Sequence, residues 1–255
     1  MIEKGDTMDL QQCILKNNDC YKTAKPMKVK GIMVHSTGAN NPYLKRYIQP
    51  DDSKLGQNQN GNHWNQPKPD GRSVCVHAFI GKLQNGEIAV YQTLPFDIRA
   101  WHCGGSGNDG YIGFEICEDN LQDKAYFKQV YQKAVEFCVY LCKEFRLTEK
   151  DIICHAEGHK IGIASNHGDV IHWFSKHHVT MDDFRNEVQN CLEEKKGCTD
   201  MLYNYMDENM PVWAKPTIQK LIDKGALKGN EKGELMLTDV MLRIFVANDR
   251  MGLYD

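Results

Sequence analysis

Two short apolar segments that each end in a histidine constrain the fold of this chain most. Residues 32–34 are followed by His35, and residues 152–154 are followed by His155. Apolar runs of this length are typical of buried β-strands, and each would place its histidine at the rim of a pocket. Asp169 follows His155 after a turn rich in glycine and asparagine. Two imidazoles and a carboxylate are the ligand set of a catalytic zinc ion, so a metal is expected to join these distant strand ends.

Composition argues against several classes of protein. The chain has 255 residues, 41% of them hydrophobic, which is enough for a full core in one or two domains. Its net charge of -3 argues against a nucleic-acid binder, which would need a basic face. No apolar stretch approaches the roughly 20 residues that a membrane-spanning helix needs, and the N-terminus lacks a signal-peptide pattern. We therefore expect a soluble protein that is made in the cytoplasm.

The ten cysteines are scattered and include no CxxC pair, which argues against a zinc finger. Several, including Cys75, lie within apolar strand or helix patterns. We expect them to be small buried residues in a reducing compartment. If disulfides form, the pairs to test are Cys13 with Cys20 and Cys191 with Cys198.

Local patterns divide the chain into four segments. Residues 1–27 form a polar lead-in whose short amphipathic stretch, 10–15, predicts one or two helical turns packed on the main domain. Residues 28–192 combine strand and helix patterns and predict that domain. The charged residues 193–202 predict a linker, and residues 203–255 predict a small helical module.

Strand and helix patterns follow one another within the main domain, which predicts an α/β or α+β fold. The Gln-Asn-Gly sequence at 84–86 predicts a hairpin turn. The polar segment 37–71 is long for a compact domain, and we expect it to rim a functional site. Strands are expected at 29–35, 73–80, 87–93 and 111–117, and helices at 123–145, 180–192, 213–224 and 238–250.

Five segments of the main domain occur in an order that matches a known family. They are Val-His-Ser-Thr at 34–37, Val-His-Ala-Phe-Ile-Gly at 76–81, Arg-Ala-Trp-His-Cys-Gly at 99–104, Ile-Gly-Phe-Glu-Ile-Cys at 112–117, and residues 155–169. Together they resemble the amidase-2 family of zinc-dependent N-acetylmuramoyl-L-alanine amidases, which includes phage endolysins and peptidoglycan recognition proteins. The resemblance implies an α/β fold with a mixed central β-sheet flanked by helices and one zinc ion at the strand ends.

The resemblance implies that His35, His155 and Asp169 are the zinc ligands. In the family the third ligand is an aspartate or cysteine that is usually followed by proline. Val170 takes the place of that proline here. His167 therefore remains the rival third ligand, because imidazole is an excellent zinc donor.

The resemblance also implies the catalytic residues. Glu115 matches the acidic residue that accepts a proton from the zinc-activated water and passes it to the leaving amine. On the strand pattern alone, Glu115 faces either the protein interior or the solvent. Many catalytic members carry a lysine two positions before the third ligand, and His167 stands there in this chain. A donor imidazole at that position could stabilise the oxyanion of the transition state.

Four other residues in or near the matched segments are candidates for substrate binding. His102, on a glycine-rich turn, would line the substrate groove or orient a metal ligand. Trp64 and Trp101 would stack on sugar rings or pack in the core. His77, on a strand, would contact substrate or be a hydrogen-bonded core histidine.

The C-terminal module contains a Trp-Ala pair at 213–214, a helix, a Lys-Gly turn and a second helix with an arginine. This pattern resembles a single surface-layer-homology motif, which implies binding to a secondary cell-wall polymer. The same residues also predict a two-helix core that packs on the main domain or forms a homodimer.

The sequence therefore predicts a peptidoglycan hydrolase of the phage or prophage endolysin type. It would cleave the amide bond between N-acetylmuramic acid and L-alanine of the stem peptide. Such a protein accumulates in the cytoplasm and acts on the wall after release. The alternatives are a recognition protein that binds peptidoglycan without cleaving it and a zinc peptidase that cuts within the stem peptide.

Overall fold

The computed structural model describes residues 8–197 and 203–254. The chain forms two compact units, of which the first ends at Cys191 and the second begins at Leu192. The strands of the first unit are β1 (Leu10–Gln12), β2 (Gly31–Ser36), β3 (Ala78–Lys82), β4 (Ile88–Gln92), β5 (Tyr111–Ile116) and β6 (Ile152–Cys154). The α-helices that begin in this unit are α1 (Asp19–Thr23), α2 (Lys124–Phe145), α3 (His155–Lys160), α4 (Ile171–Phe174) and α5 (Met181–Gly197). Short 3-10 helices occupy Leu44–Arg46, Pro69–Gly71, Ser106–Asp109, Glu149–Asp151 and Ser175–His177.

The six strands form one mixed sheet in the order β1-β4-β3-β5-β2-β6. Strands β3 and β4 are antiparallel, and the other neighbouring pairs are parallel. A tight turn joins β3 to β4, and Gly86 in that turn has a left-handed φ of 90° that glycine adopts without steric cost. The mixed sheet with its flanking helices confirms the predicted fold class.

The longest helix, α2, packs its apolar face on the sheet. The side chain of Asp123 caps its first turn by accepting hydrogen bonds from the backbone N–H groups of Ala125 and Tyr126. Phe137 of α2 packs edge-on against Phe114 of β5, with ring centroids 5.2 Å apart. The three- and four-residue spacing of apolar residues had predicted this helix, and the structure confirms it.

Residues 10–15 differ from their prediction, because they begin with a strand rather than a helical turn. Strand β1 pairs with β4 in parallel, with Leu10 opposite Val90. A six-residue segment is too short for its periodicity to separate helix from strand, so hydrogen bonds to a neighbouring strand decide its conformation. The prediction of a helix in this segment was wrong.

The helix predicted at 180–192 is longer than its pattern indicated. Helix α5 continues to Gly197, so residues 193–197 of the expected linker are helical. The charged residues there are good helix formers, which allows the helix to continue. Residues 198–202 of the expected linker lie outside the described part of the chain.

The long segment 37–71 has an apolar core of its own. Its buried side chains pack against Leu15, against Phe79 of β3 and against Tyr91 of β4. The buried residues of the segment are Leu44, Tyr47, Ile48, Leu55 and Trp64. The rings of Tyr47 and Phe79 stack with centroids 5.0 Å apart. This packing holds a polar, irregular segment against the sheet.

One disulfide bond differs from the expected cysteine chemistry. Cys20 is bonded to Cys75, and the two residues are separated by 55 positions in sequence. The suggested pairing of Cys13 with Cys20 was therefore wrong, as was the prediction that Cys75 is a reduced core residue. Cys198 of the other suggested pair lies outside the described residues. Cysteine spacing alone could not identify the pair, because the contact depends on how the lead-in folds against the segment before β3.

The second unit contains helices α6 (Lys215–Asp223) and α7 (Asp239–Arg250). Tyr203 and Leu237 form an isolated antiparallel bridge before α7. The two helices share a small core that includes Ala214, Ile218, Leu221, Leu242 and Val246. No helix in residues 8–197 or 203–254 is both long and apolar enough to cross a membrane.

Candidate metal centre and active site

Three parallel strands bring the candidate residues to one edge of the sheet. His35 of β2 lies opposite Glu115 of β5 in the strand register. On its other side β2 pairs with β6, which ends at Cys154 and is followed by His155 as the first residue of α3. Parallel strands end at the same edge of a sheet, so these side chains meet although they are far apart in sequence.

His35, His155 and Asp169 form a compact group of possible metal ligands. The Nδ1 atom of His35 lies 2.9 Å from an Asp169 carboxylate oxygen and 3.2 Å from the Nδ1 atom of His155. The His155 Nδ1 atom is 3.6 Å from the other Asp169 oxygen. One donor atom from each residue falls within 4.8 Å of the others.

The protonation states of this group fit a divalent metal ion. Burial lowers the pKa of His35 below its ordinary value, which favours the neutral imidazole. Burial opposes the charge of Asp169, yet its contacts with His155 and His35 hold the pKa of this carboxyl well below its usual range. Metal ligation requires neutral imidazole and ionised carboxylate. The donor set therefore suits zinc, which prefers nitrogen and oxygen ligands of this kind.

His167 lies beside this group but does not belong to it. Its ring stacks on that of His155, with centroids 4.8 Å apart and planes 21° from parallel. It is exposed and lines the neighbouring cavity. Among the described residues, the donor group contains Asp169 and not His167. This geometry favours Asp169 over His167 as the third ligand.

Glu115 is the carboxylate next to the donor group. Its Oε2 atom is buried and has no hydrogen-bond partner in the described part of the chain. Burial raises the pKa of Glu115 well above its usual value, and the charges of Asp169 and Glu118 raise it further. A buried, unpartnered carboxyl of raised pKa is a candidate for proton transfer. Glu115 lines the cavity, so neither alternative left open by the strand pattern, interior or solvent, describes it fully.

A cavity of about 800 Å³ opens beside these residues. Trp101 at its rim is 46% exposed, and the Arg99 guanidinium lies 4.7 Å from the centre of its ring. Trp64 is 6% exposed and packs mainly in the core of segment 37–71. That segment contributes Thr37, Gly38 and Trp64 to the lining, and the other walls include Arg72, Ser73, Val74, His102, Ser165 and His172.

The structure separates the two remaining histidine candidates. His102 lines the cavity, and its Nδ1 atom lies 2.8 Å from Nε2 of His35. His77 is fully buried: its Nδ1 accepts the Gly113 N–H at 3.0 Å, and its Nε2 donates to the Ile98 carbonyl at 2.9 Å. This environment favours the core interpretation of His77.

Ser165 and Glu118 lie near the centre and were not among the residues predicted from the sequence. The Ser165 hydroxyl lies 3.3 Å from Nε2 of His155. His172 forms an ion pair of 2.9 Å with Glu118, which raises the pKa of the imidazole. A serine in a loop and a carboxylate after a strand carry no distinguishing local pattern, so the sequence offered no signal for either.

Comparisons with known proteins bear on the family and the fold of this chain. A family model described as N-acetylmuramoyl-L-alanine amidase matches residues 25–170. Similar folds occur in the Staphylococcus aureus hydrolase AmiA, solved in complex with its ligand (TM-score 0.53, 16% identity, 75% of this chain and 87% of that chain), and in PlyL (TM-score 0.51, 18% identity, 71% and 98%). The PlyG catalytic domain is also similar (TM-score 0.50, 19% identity, 72% and 96%). A search of curated protein sequences found no match.

Proposed function

Because this chain belongs to the N-acetylmuramoyl-L-alanine amidase family, we propose that it is a zinc-dependent peptidoglycan hydrolase. The bond cleaved would be the amide between N-acetylmuramic acid and L-alanine of the stem peptide. The observation that carries the proposal is the buried group of His35, His155 and Asp169 beside the unpartnered Glu115 carboxyl. Both features face one cavity large enough for part of a peptidoglycan strand.

His35, His155 and Asp169 would hold one zinc ion. When bound, zinc supplies Lewis acidity and lowers the pKa of a coordinated water toward ~7. His35 and His155 come from the ends of two paired strands, so the sheet sets the spacing of these two ligands, and Asp169 joins them from a loop. A preorganised site of this kind reduces the ordering needed on metal binding.

Glu115 would transfer the proton during hydrolysis. Its carboxylate accepts a proton from the attacking water and returns it to the amine of the leaving L-alanine. The raised pKa of Glu115 makes its carboxylate a stronger base for the first step. Its free Oε2 atom leaves a position open for that hydrogen bond.

His167 and Trp101 would act on the substrate directly. His167 is exposed at the cavity beside His155, where an imidazole N–H can stabilise the developing oxyanion. Trp101 presents a half-exposed ring at the rim that suits stacking on a sugar. Trp64 would shape the cavity wall, and His102 would border the substrate near His35.

Glu115→Gln tests the proposed reaction. We expect turnover of purified peptidoglycan to fall about 10²- to 10⁴-fold, because the amide cannot accept the proton. Zinc content should stay at one ion per chain, since Glu115 is not among the proposed ligands. Glu136→Gln on the exposed face of α2 is the matched control and should retain full activity.

Mass spectrometry of the digest identifies the bond. New amino groups on L-alanine together with intact lactyl-muramic acid would support the amidase. New termini within the stem peptide would indicate a zinc peptidase instead. Binding to peptidoglycan without any product would indicate a recognition protein, and either result would contradict the proposal.

The second unit would direct the enzyme to the wall after its release from the cytoplasm, as in endolysins. Its supporting feature is Trp213, which is 41% exposed with the Arg243 guanidinium 5.4 Å from its ring centre. Aromatic rings of this kind can stack on wall sugars. Val240 and Ile244 are also exposed on α7 and suit the alternative role in a homodimer. Trp213→Ala should weaken sedimentation with purified walls, whereas a concentration-dependent mass lost on Ile244→Glu would indicate a dimer.

A further inference from the structure

We propose that His102 and Ser165 are positioning residues that fix the ring tautomers of His35 and His155. Each of these two histidines would then direct an unprotonated Nδ1 atom toward the metal centre. The inference rests on the proposed metal site and adds the residues that prepare it. It follows from two hydrogen-bond chains, each of which ends on a backbone carbonyl group.

The first chain runs from His35 through His102 to Tyr111. The Nε2 atom of His102 lies 3.1 Å from the Tyr111 carbonyl oxygen. A carbonyl only accepts, so this nitrogen carries a proton. In an imidazole that carries its proton on Nε2, the Nδ1 atom is the acceptor. The partner at 2.8 Å is Nε2 of His35, which must donate. The Nδ1 atom of His35 is left without a proton.

The second chain runs from His155 through Ser165 to Cys103. The Ser165 hydroxyl lies 3.2 Å from the Cys103 carbonyl oxygen, to which it donates its only proton. It therefore accepts the bond from Nε2 of His155, 3.3 Å away. In the neutral imidazole this leaves the Nδ1 atom of His155 without a proton, as in His35.

The two chains would leave three lone pairs directed at a position that suits a cation. The Nδ1 atoms of His35 and His155 are 3.2 Å apart, and an Asp169 oxygen lies 2.9 Å from the first of them. Three lone-pair donors at this distance repel one another unless a positive ion lies among them. Fixing both tautomers in advance removes the proton rearrangement that metal binding would otherwise need.

Two glycines, Gly113 and Gly104, leave space for the side chains of His102 and Ser165. A Cβ atom on Gly113 would lie 2.5 Å from the His102 ring, closer than any real contact. A Cβ atom on Gly104 would lie 2.9 Å from the Ser165 hydroxyl, and its φ of 67° also disfavours other residues. The backbone therefore makes room for His102 and Ser165 at the points where the two chains pass.

Zinc affinity of the full chain, measured by competition with a chelator, tests the inference. His102→Phe and Ser165→Ala should each weaken zinc binding about 10- to 100-fold. His102→Gln and Ser165→Thr should recover most of it, because an amide can donate and accept and threonine keeps the hydroxyl. Ser175→Ala, which removes a hydroxyl that donates to the Ile171 carbonyl, is the matched control and should keep wild-type zinc affinity.

Nitrogen-15 NMR of the histidine rings tests the same point without metal and without a substitution. In metal-free wild-type protein at neutral pH, His35 and His155 should both be protonated at Nε2. Protonation at Nδ1 in either ring overturns the inference. Wild-type zinc affinity in both His102→Phe and Ser165→Ala also overturns it, while the proposed hydrolase stands. A wild-type protein that binds no zinc contradicts the proposed function, and the ring tautomers then decide the inference separately.

Discussion

Glu115 is half-buried and His77 is fully buried, and the surroundings of these two titratable residues favour different roles. The Oε2 atom of Glu115 lacks a partner in the described part of the chain and belongs to a residue that lines the cavity. Both ring nitrogens of His77 are bonded to backbone groups instead. An unsatisfied buried polar group costs stability and is retained where it has a use, whereas a satisfied one stabilises the fold. We therefore assign reactivity to Glu115 and structure to His77.

The stability of the first unit should depend on pH through His77. Burial lowers the pKa of His77 from 6.5 to about 4. Between these values the unfolded chain binds a proton that the folded chain does not, so stability is full above pH 6.5 and falls as the pH drops to about 4. The loss is about 3 kcal/mol at the low end.

Urea unfolding of wild type and His77→Gln at pH 7.5, 5.5 and 4 measures this effect. The variant should be less stable at pH 7.5 and should show a smaller fall toward pH 4. An equal pH dependence in both proteins would contradict the assignment. Other histidines contribute to both curves, so the difference between them is the quantity to compare.

At the scale of elements, helix α5 holds the junction that carries His155. Arg185 of α5 donates to both carboxylate oxygens of Glu157 at 3.0 Å and to the Ile152 carbonyl at 3.1 Å. Glu157 in turn accepts the backbone N–H of Cys154 at 3.0 Å. One guanidinium therefore ties the end of β6 and the first turn of α3, which begins at His155, to α5.

Arg185→Lys should destabilise the first unit by about 1–3 kcal/mol, because an ammonium cannot replace the two-pronged bond and the carbonyl contact together. Lys133→Ala is the control. Its ion pair with Glu136 lies on the surface of α2, and its loss should cost about 0.5 kcal/mol or less. Equal losses of unfolding free energy in the two variants, measured by urea unfolding, would show that the junction does not depend on the paired hydrogen bonds of Arg185 to Glu157.

At the scale of the whole first unit, the Cys20–Cys75 bond closes a loop that contains segment 37–71. This segment supplies part of the cavity wall through Thr37, Gly38 and Trp64. A covalent link limits the conformations of such a long loop mainly in the unfolded chain. The bond therefore stabilises a wall that is otherwise held by its own small core and contacts with the sheet.

Reduction of this bond should lower the stability of the first unit. The chain-entropy relation for a loop of 55 residues gives about 4 kcal/mol. The double variant Cys20→Ser/Cys75→Ser should match reduced wild type in thermal unfolding and should not respond to dithiothreitol. Cys13→Ser, at a cysteine outside the bond, should keep the response. A wild-type melting temperature that reductant does not change would contradict the prediction.

Local sequence patterns predicted most of the main elements and the residues that meet at the candidate centre. The 3- and 4-residue period of α2 and the apolar runs before His35 and His155 are local patterns, and local patterns report which face of an element is buried. The order of five matched segments also identified the family, which the family model confirms.

Only the tertiary structure decided the features that depend on distant contacts. Residues 10–12 form a strand because they hydrogen-bond to β4. Cys20 bonds to Cys75 because the lead-in folds against the segment before β3. The bonds of His102 and Ser165 to the two histidines likewise join separate segments. No local pattern encodes such pairings, since each arises from the free energy of packing the whole unit.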